Sequence, residues 1–129
     1  MMPRREVIGP LDDDEDLTGV LEVEAQSFTN PWTREMYQWE LTNRDLCRIY
    51  VVRTPEHRVA GFCAFWLVFD EIHINNVALR PSCRGLGLGS ALVRHVLAEQ
   101  RAVTGRTVTG VSDEAMRAFI VNGTERMPS

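Results

Sequence analysis

The sequence predicts an α/β domain, and two observations support this. Amphipathic helical patterns alternate along the chain with short apolar runs of strand length. A glycine-rich stretch, Arg84 to Ser90, then joins an apolar strand to a helical pattern, so it lies at the carboxyl end of a strand. In α/β sheets this is the end at which ligands bind.

Composition predicts one globular domain over residues 1–129 that has no nucleic-acid partner. A chain of 129 residues can bury a core of its own. The net charge is −4, whereas a general nucleic-acid binder carries a basic face. The chain has no lysine, which excludes a Schiff-base lysine and a Walker-type lysine.

The cysteines and the N-terminus predict a cytoplasmic protein. Cys47, Cys63 and Cys83 are odd in number and unpatterned, which fits a reducing compartment and small buried residues. Met1–Glu6 is not followed by the apolar core of a signal peptide. The longest apolar run, Gly61 to Phe69, is too short to span a bilayer, so no membrane partner is expected.

The first third of the chain predicts a short strand and two helices. Val7 and Ile8 suggest a strand that ends at Gly9-Pro10, and apolar spacing places a helix over residues 13–26. The acidic run Asp12–Asp16 is interpreted as a solvated helix start rather than a cation site, and no metal is expected. Asn30 is expected to cap a second helix that begins at Pro31 and continues to about residue 41.

On that second helix Trp32, Met36 and Trp39 fall near one face. Two interpretations stay open: the stripe is part of the core, or it forms an aromatic flap over a cleft.

Three strands follow, over residues 47–53, 59–69 and 72–79. The second is almost entirely apolar and is therefore expected at the centre of its sheet. The third contains Asn75 and Asn76, which are unusual in mid-strand and indicate a bulge or a cleft-facing segment.

The last part of the chain predicts a main helix over residues 86–101 and a strand-like piece over 106–111. Ser112 is expected to cap a final helix, 113–121, and Gly123–Ser129 is expected to be a loose end.

The glycine stretch has the character of an anion cradle, because glycine lets a ligand approach the backbone and helix N-termini bind anions. A P-loop would need a lysine. The dinucleotide pattern fails because Ser90 or Leu92 stands at its last position, and because no acid follows at the expected distance.

The spacing that does fit is Arg-x-x-Gly-x-Gly, at Arg84 to Gly89, after the segment Val77-Ala78-Leu79-Arg80-Pro81. It resembles the acetyl-CoA loop of the GNAT superfamily of N-acetyltransferases. Two further segments, Ser27–Thr33 and Phe69–Ala78, resemble the bacterial ribosomal-protein-alanine N-acetyltransferases (the RimI family). The resemblance covers residues 5 to 100, and residues 101–129 diverge from it.

The resemblance implies a mixed sheet that opens between two strands to admit acetyl-CoA as co-substrate. Backbone groups at Val77, Ala78 and Leu79 would bind the pantetheine arm. The N–H groups of the loop would hold the pyrophosphate. The donor-binding residues implied in this way are Arg84, Gly85, Leu86, Gly87, Leu88, Gly89 and Ser90. Leu86 and Leu88 are expected to pack beneath the loop.

The tail departs from the resembling family in the residues that move protons. The family places a Glu after the main helix and a Tyr in the last helix. Here residues 107–110 contain no Glu, and Ile120 stands at the Tyr position. The family's final pair of strands is also not expected. Glu71 or His73 is therefore the candidate base, acting directly or through water.

Two functions remain open from the sequence. The first is acetylation of a protein's N-terminal amine, of the alanine type, with a ribosomal protein as the implied acceptor. The second is a catalytically weak or inactive acetyl-CoA-binding module. A sheet without its last strands would leave an edge that could pair two copies of the chain. The candidate acceptor-site residues are Phe28, Trp32, Asp70, Asn75 and Asn76.

Overall fold

The sheet is organised around its fourth strand. The structure, a computed structural model, describes residues 6–69, 71–104, 107–108 and 124–126. In chain order the elements are β1 (Val7–Pro10), α1 (Asp14–Ser27), α2 (Arg34–Thr42), β2 (Cys47–Arg53), β3 (Gly61–Val68), β4 (Glu71–Leu79), a 3-10 turn (Pro81–Cys83), α3 (Leu88–Thr104), β5 (Thr107–Val108) and β6 (Thr124–Arg126).

Strands β1 to β4 are antiparallel neighbours in sequence order. Strand β5 then runs parallel to β4, and β6 pairs with β4 in the antiparallel direction. The mixed sheet is thereby confirmed, and β3 lies inside it between β2 and β4, as its apolar sequence predicts.

Helices cover both faces of the sheet because residues alternate between the faces along each strand. One core lies beneath α3 and includes Phe65, Ile74 and Leu92. The other lies beneath α1 and α2 and includes Leu17, Tyr37 and Phe62. Strand β4 therefore has the core beneath α3 on one face and the core beneath α1 and α2 on the other.

The acidic run is a solvated helix start with one exception. Residues 12–15 are exposed, and the Asp13 side chain caps α1 by accepting from the Asp16 N–H. Asp16 itself is buried, and its carboxylate receives two bonds from Arg53, the longer at 2.6 Å, and one from Arg58 at 2.8 Å. These hydrogen bonds hold the pKa of Asp16 well below its usual range.

Helix α2 begins later than the sequence predicts. Thr33, not Asn30, is the cap, and its hydroxyl accepts from the Met36 N–H at 3.3 Å. The backbone N–H of Trp32 instead donates to the buried carboxylate of Glu24 at 2.9 Å. That bond holds the chain before Thr33 outside the helix, so the proline signal at Pro31 is overridden by a tertiary contact.

The bulge predicted at the two asparagines is confirmed. Ala64 of β3 pairs with Asn76, while the next residue, Phe65, pairs with Ile74. Asn75 is the extra residue, which lets Asn76 point toward α1 and α2 as the strand continues.

Three expectations after β4 are wrong in detail. Helix α3 begins at Leu88 rather than Leu86, and Leu86 is 53% exposed instead of packing beneath the loop. The predicted loose end contains strand β6, because Thr124–Arg126 find backbone partners on β4. The predicted final helix, 113–121, lies outside the described residues.

The three cysteines are buried and free of disulfides, as expected for small core residues. Across the described part of the chain, no helix is long and apolar enough to cross a membrane. The same residues hold no group of three or more side chains suited to bind a metal.

Candidate active site

The glycine loop sits where β4 passes through the 3-10 turn into α3. Gly85 and Gly87 both have φ of 79°, a left-handed conformation that favours glycine. Gly85, Leu86 and Gly87 are exposed, and a Cβ added at Gly85 would meet open space. The Gly87 carbonyl accepts from the Ala91 N–H at 3.1 Å, so the loop leads directly into the first turn of α3. The loop therefore combines an open backbone with the positive end of a helix, which suits an anionic group.

Arg84 fastens this loop to the rest of the site. Its Nε donates to the Leu79 carbonyl at 3.1 Å, and its Nη2 donates to the Ser27 hydroxyl at 3.2 Å. The guanidinium thus joins the end of β4 to the end of α1, and the sequence-predicted residues Leu79 and Arg84 are brought together. These two hydrogen bonds give Arg84 a structural role besides any contact with a ligand.

The edge of β4 that faces away from β3 pairs with two short strands. Strand β5 pairs with Glu71 and Ile72 at the beginning of β4. Strand β6 pairs with Asn76, Val77 and Ala78 near its end. Val77 and Ala78, which the family resemblance assigns to pantetheine, therefore pair with a strand of the same chain in this structure.

The two candidate bases form one hydrogen-bonded pair. His73 Nε2 and Glu71 Oε2 are 2.7 Å apart, with the two side chains 34% and 42% exposed. They lie two residues apart on β4 and so share one face of the sheet. His73 also pairs across the sheet with Trp66 of β3, which places the pair on the α1 and α2 side.

Asn76 belongs to a buried polar network rather than to an open surface. The Tyr37 hydroxyl donates to Glu24 Oε1 at 2.6 Å, and Asn76 Nδ2 lies 3.3 Å from that hydroxyl and 3.4 Å from Glu24 Oε1. Burial and the neighbouring Glu24 raise the pKa of Tyr37 above its usual range, which keeps this hydroxyl a donor. Because Glu24 also accepts from Trp32 N–H, the network ties the segment before α2 to the bulge of β4.

The remaining acceptor-site candidates are placed differently. Phe28 is half-buried at the end of α1, against the core beneath α1 and α2. Asn75 is buried, and its Nδ2 has no hydrogen-bond partner among the residues that the structure describes. Asp70 lies outside the described residues.

Trp32 faces an open cavity of about 300 Å³. The cavity is lined by Trp32, Met36, Trp39, Glu40 and Trp66. Met36 is 44% exposed and Trp39 is 59% exposed, so these two residues of the aromatic stripe do not form core. Of the two interpretations, the structure favours a cleft.

Sequence reasoning missed Glu24, Glu40 and Trp66. Glu24 and Glu40 carried a readable signal, because each falls at helical spacing in an apolar stripe and yet is ionisable. Trp66 carried no such signal, since an aromatic residue in an apolar strand is ordinary core. Its half-buried position depends on the register of β3 against β4, which a single sequence does not reveal.

Comparison with known proteins identifies relatives for most of the chain. The model of the Acetyltransferase (GNAT) family matches residues 17–120. A Bacillus subtilis protein, provisionally named as a ribosomal protein bS18-alanine N-acetyltransferase, is 40% identical over 80 residues, or 62% of this chain and 52% of the relative. The ribosomal protein bS18-alanine N-acetyltransferase of Salmonella typhimurium is 26% identical over 84 residues, 65% of this chain and 55% of the relative. The chain thus spans about half the length of these curated relatives.

Solved structures show the same fold. The ribosomal-protein-S18-alanine N-acetyltransferase of Escherichia coli superposes with a TM-score of 0.72 at 21% identity, over 92% of this chain and 75% of that one. A GNAT family N-acetyltransferase (YhbS) from E. coli in complex with CoA gives 0.73 at 19% identity, over 93% and 69% of the two chains.

Proposed function

We propose, because the chain belongs to the acetyltransferase (GNAT) family, that it transfers an acetyl group from acetyl-CoA to the N-terminal amine of a protein. The observation that supports this most strongly is the loop from Arg84 to Ser90. It has two left-handed glycines and leads into α3 at the end of β4. A related fold holds CoA in its crystal structure, and nothing in the comparisons favours the non-catalytic alternative.

The loop fits the pyrophosphate of the donor. A pyrophosphate needs several convergent N–H donors, and the first turn of α3 has N–H groups without partners inside the helix. Gly85, Leu86 and Gly87 are exposed, so the phosphates can approach the backbone. When bound, acetyl-CoA supplies the thioester whose carbonyl carbon receives the amine.

The chemistry requires three proton and charge movements. The acceptor ammonium must lose a proton before its nitrogen can form the C–N bond. The thioester C–S bond then breaks, and the thiolate of CoA takes up a proton. In this proposal Glu71 and His73 accept the first proton as a hydrogen-bonded pair, directly or through a water.

The proposed acceptor is a ribosomal protein with an N-terminal alanine, since two relatives carry names of bS18-alanine N-acetyltransferases. The acidic net charge of the chain, −4, suits a basic acceptor such as a ribosomal protein. A ribosomal acceptor also fits the cytoplasmic location that the sequence predicts.

Calorimetric titration with acetyl-CoA tests donor binding. Mass spectrometry of a basic peptide with an N-terminal alanine, incubated with the chain and acetyl-CoA, then tests transfer. We expect saturable binding and a mass increase of one acetyl group at the α-amine. Binding without acetylation would contradict the enzyme, and the absence of binding would contradict the donor site as well.

A further inference from the structure

A second site adjoins the proposed acceptor region, and it is built from tryptophans and one carboxylate. Trp32, Met36, Trp39, Glu40 and Trp66 line the 300 Å³ cavity described above, here called the tryptophan pocket. The chain contains three tryptophans, and all three are in this pocket. Trp32 comes from the segment before α2, Trp39 from α2 and Trp66 from β3, so three separate parts of the chain converge on it.

Glu40 is the unusual member of the pocket. Its side chain is buried, with the residue only 2% exposed, and Oε1 accepts from Trp66 Nε1 at 3.1 Å. Oε2 is also buried, and it has no hydrogen-bond partner within the described part of the chain. A buried carboxylate oxygen without a partner is costly, and such groups in native proteins commonly have a functional reason.

The surroundings of Glu40 suit a cation as the missing partner. Tryptophan faces attract ammonium and guanidinium groups, and a desolvated carboxylate attracts them further. Burial raises the pKa of the Glu40 carboxyl, so a cation beside it would restore the charged form. A hard metal ion would need several oxygen ligands, whereas this pocket offers one carboxylate among apolar walls.

The position of the pocket connects it to the acceptor. Trp66 pairs across the sheet with His73, whose imidazole belongs to the proposed base pair. Trp32 is fixed through its N–H to Glu24, in the network that reaches Asn76 on β4. The pocket therefore opens beside the face of β4 at which the acceptor amine would lose its proton.

We propose that the tryptophan pocket binds a lysine or arginine side chain of the peptide acceptor. A side chain fits better than the reacting α-amine, because a carboxylate partner stabilises an ammonium and keeps it unreactive. An apolar side chain would leave Oε2 of Glu40 buried and unpaired. The assignment to an acceptor rests on the proposed function, while the assignment to a cation rests on the pocket itself.

Intrinsic fluorescence tests the cation site without donor or turnover, because every tryptophan of the chain reports on it. The wild-type chain is titrated with N-propylguanidinium and, separately, with N-propylurea, which has the same shape and no charge. We expect the cation to bind about tenfold more tightly than the neutral analogue. Equal binding of the two, or no response to either, would overturn the site.

Two variants on helix α2 assign the preference to Glu40. Glu40→Gln removes the charge and keeps an oxygen for Trp66, and we expect it to reduce the preference for the cation to the smaller part that the tryptophan faces supply. Glu35→Gln makes the same change at an exposed position of α2 outside the pocket, and it should behave as wild type. A preference in Glu40→Gln as large as in the wild type would overturn the proposal. Should that variant fail to fold, Trp39→Ala, at a 59% exposed position, is expected to weaken cation binding instead.

Peptide substrates test whether the pocket binds a side chain of the acceptor or only free small cations. Alanine peptides that carry arginine at position 2, 3 or 4 are compared with the same peptides carrying citrulline. We expect arginine to lower KM about tenfold at one position in the wild type and by a clearly smaller factor in Glu40→Gln. Discrimination of the small cations without any peptide effect would limit the site to free cations and overturn its role in the acceptor. A cation preference in a chain that binds no acetyl-CoA would leave the pocket standing and remove the proposed function.

Discussion

At the residue scale, the proposed proton transfer depends on the 2.7 Å hydrogen bond between Glu71 and His73. A carboxylate beside an imidazole orients the ring and stabilises the imidazolium that forms when it takes a proton. Glu71→Gln keeps the shape of the pair and removes the charge. We expect the acetylation rate to fall about 100-fold with little change in acetyl-CoA affinity, measured by single-turnover kinetics and calorimetry.

Glu99→Gln is the matched control for that substitution. Glu99 also pairs with a histidine, His95, at 2.8 Å, but on α3, which covers the opposite face of the sheet. This control should leave the acetylation rate unchanged. A Glu71→Gln variant whose rate equals that of the wild type at every pH would remove Glu71 from the reaction.

Asp16 contributes to stability rather than to catalysis, because its buried carboxylate holds Arg53 and Arg58 to the start of α1. Asp16→Asn removes the charge and leaves both guanidinium groups without their shared partner. We expect a loss of about 3 kcal/mol in the free energy of unfolding at neutral pH, measured by urea denaturation. The same change at the exposed Asp14 should stay within about 0.5 kcal/mol.

The stability difference between wild type and Asp16→Asn is expected to depend on pH. The pKa of Asp16 is lowered in the folded chain, so its contribution is present above the ordinary carboxyl pKa of about 4 and is lost as the pH falls below it. The difference between wild type and Asp16→Asn should therefore shrink in acid. A difference that stays constant down to acid unfolding would contradict the ion-pair account.

The effect of Glu40 on stability is expected to have the opposite pH dependence. Burial raises its pKa, so the stabilising contribution of the protonated form is complete below the ordinary pKa and is lost as the pH rises through the raised value. Cys47 and Tyr37 also face Glu40, but burial raises the pKa of both, so they stay neutral over this range. Glu40→Gln should accordingly gain stability relative to wild type with rising pH, seen as a higher melting temperature at pH 8 and not at pH 4. An equal shift at both values would rule out titration of Glu40 as the cause.

At the scale of elements, a substitution in the glycine loop is expected to affect both backbone strain and ligand binding, and the two effects can be measured separately. Gly85 has a left-handed φ, so Gly85→Ala should cost about 1 kcal/mol of stability even though its Cβ meets no atom. We also expect acetyl-CoA affinity to fall about tenfold, because the methyl group stands where the phosphates approach the backbone. Calorimetry measures the affinity, and denaturation measures the stability.

Gly9→Ala is the control for that experiment. A Cβ at Gly9 also meets open space, but its backbone is not left-handed and it lies on β1, away from the loop. Donor binding should be unchanged in this variant. A loss of stability in Gly85→Ala without any loss of affinity would show that the loop does not hold the donor.

Elements were predictable wherever a local pattern agreed with the tertiary contacts. Strand β2 matches its predicted bounds, and α1 differs by one residue at each end, because apolar periodicity and an acidic first turn agree there. The start of α2 was mispredicted because a distant carboxylate, Glu24, takes the N–H of Trp32. The site likewise has a predictable and an unpredictable part. The glycine loop could be predicted from the spacing of its residues. The tryptophan pocket could not, because it depends on the register between β3 and β4, which places Trp66 beside His73.

At the scale of the whole molecule, the sheet contains a conflict between one of its own strands and the proposed donor. Strand β6 pairs with Asn76, Val77 and Ala78, and the family resemblance assigns part of the same edge to pantetheine. One row of backbone groups cannot bind both at once. Donor binding would then require β6 to leave, and the apparent affinity would be reduced by the fraction of molecules in which it is paired. A homodimer through an exposed edge stays a prediction, which sedimentation of the free and acetyl-CoA-bound chain would test.

Proline substitution in β6 tests this competition. Consecutive N–H groups of a strand point to opposite sides, so the double variant Glu125→Pro/Arg126→Pro removes whichever donor faces β4. The matched control, Glu125→Ala/Arg126→Ala, changes the same side chains and keeps both N–H groups. We expect the proline variant to bind acetyl-CoA several-fold more tightly than the alanine variant in calorimetry. Equal affinities would show that β6 and the donor use different groups of β4. Weaker binding by the proline variant would mean that β6 supports the donor site, and the split of the sheet would then have to lie elsewhere along the strand.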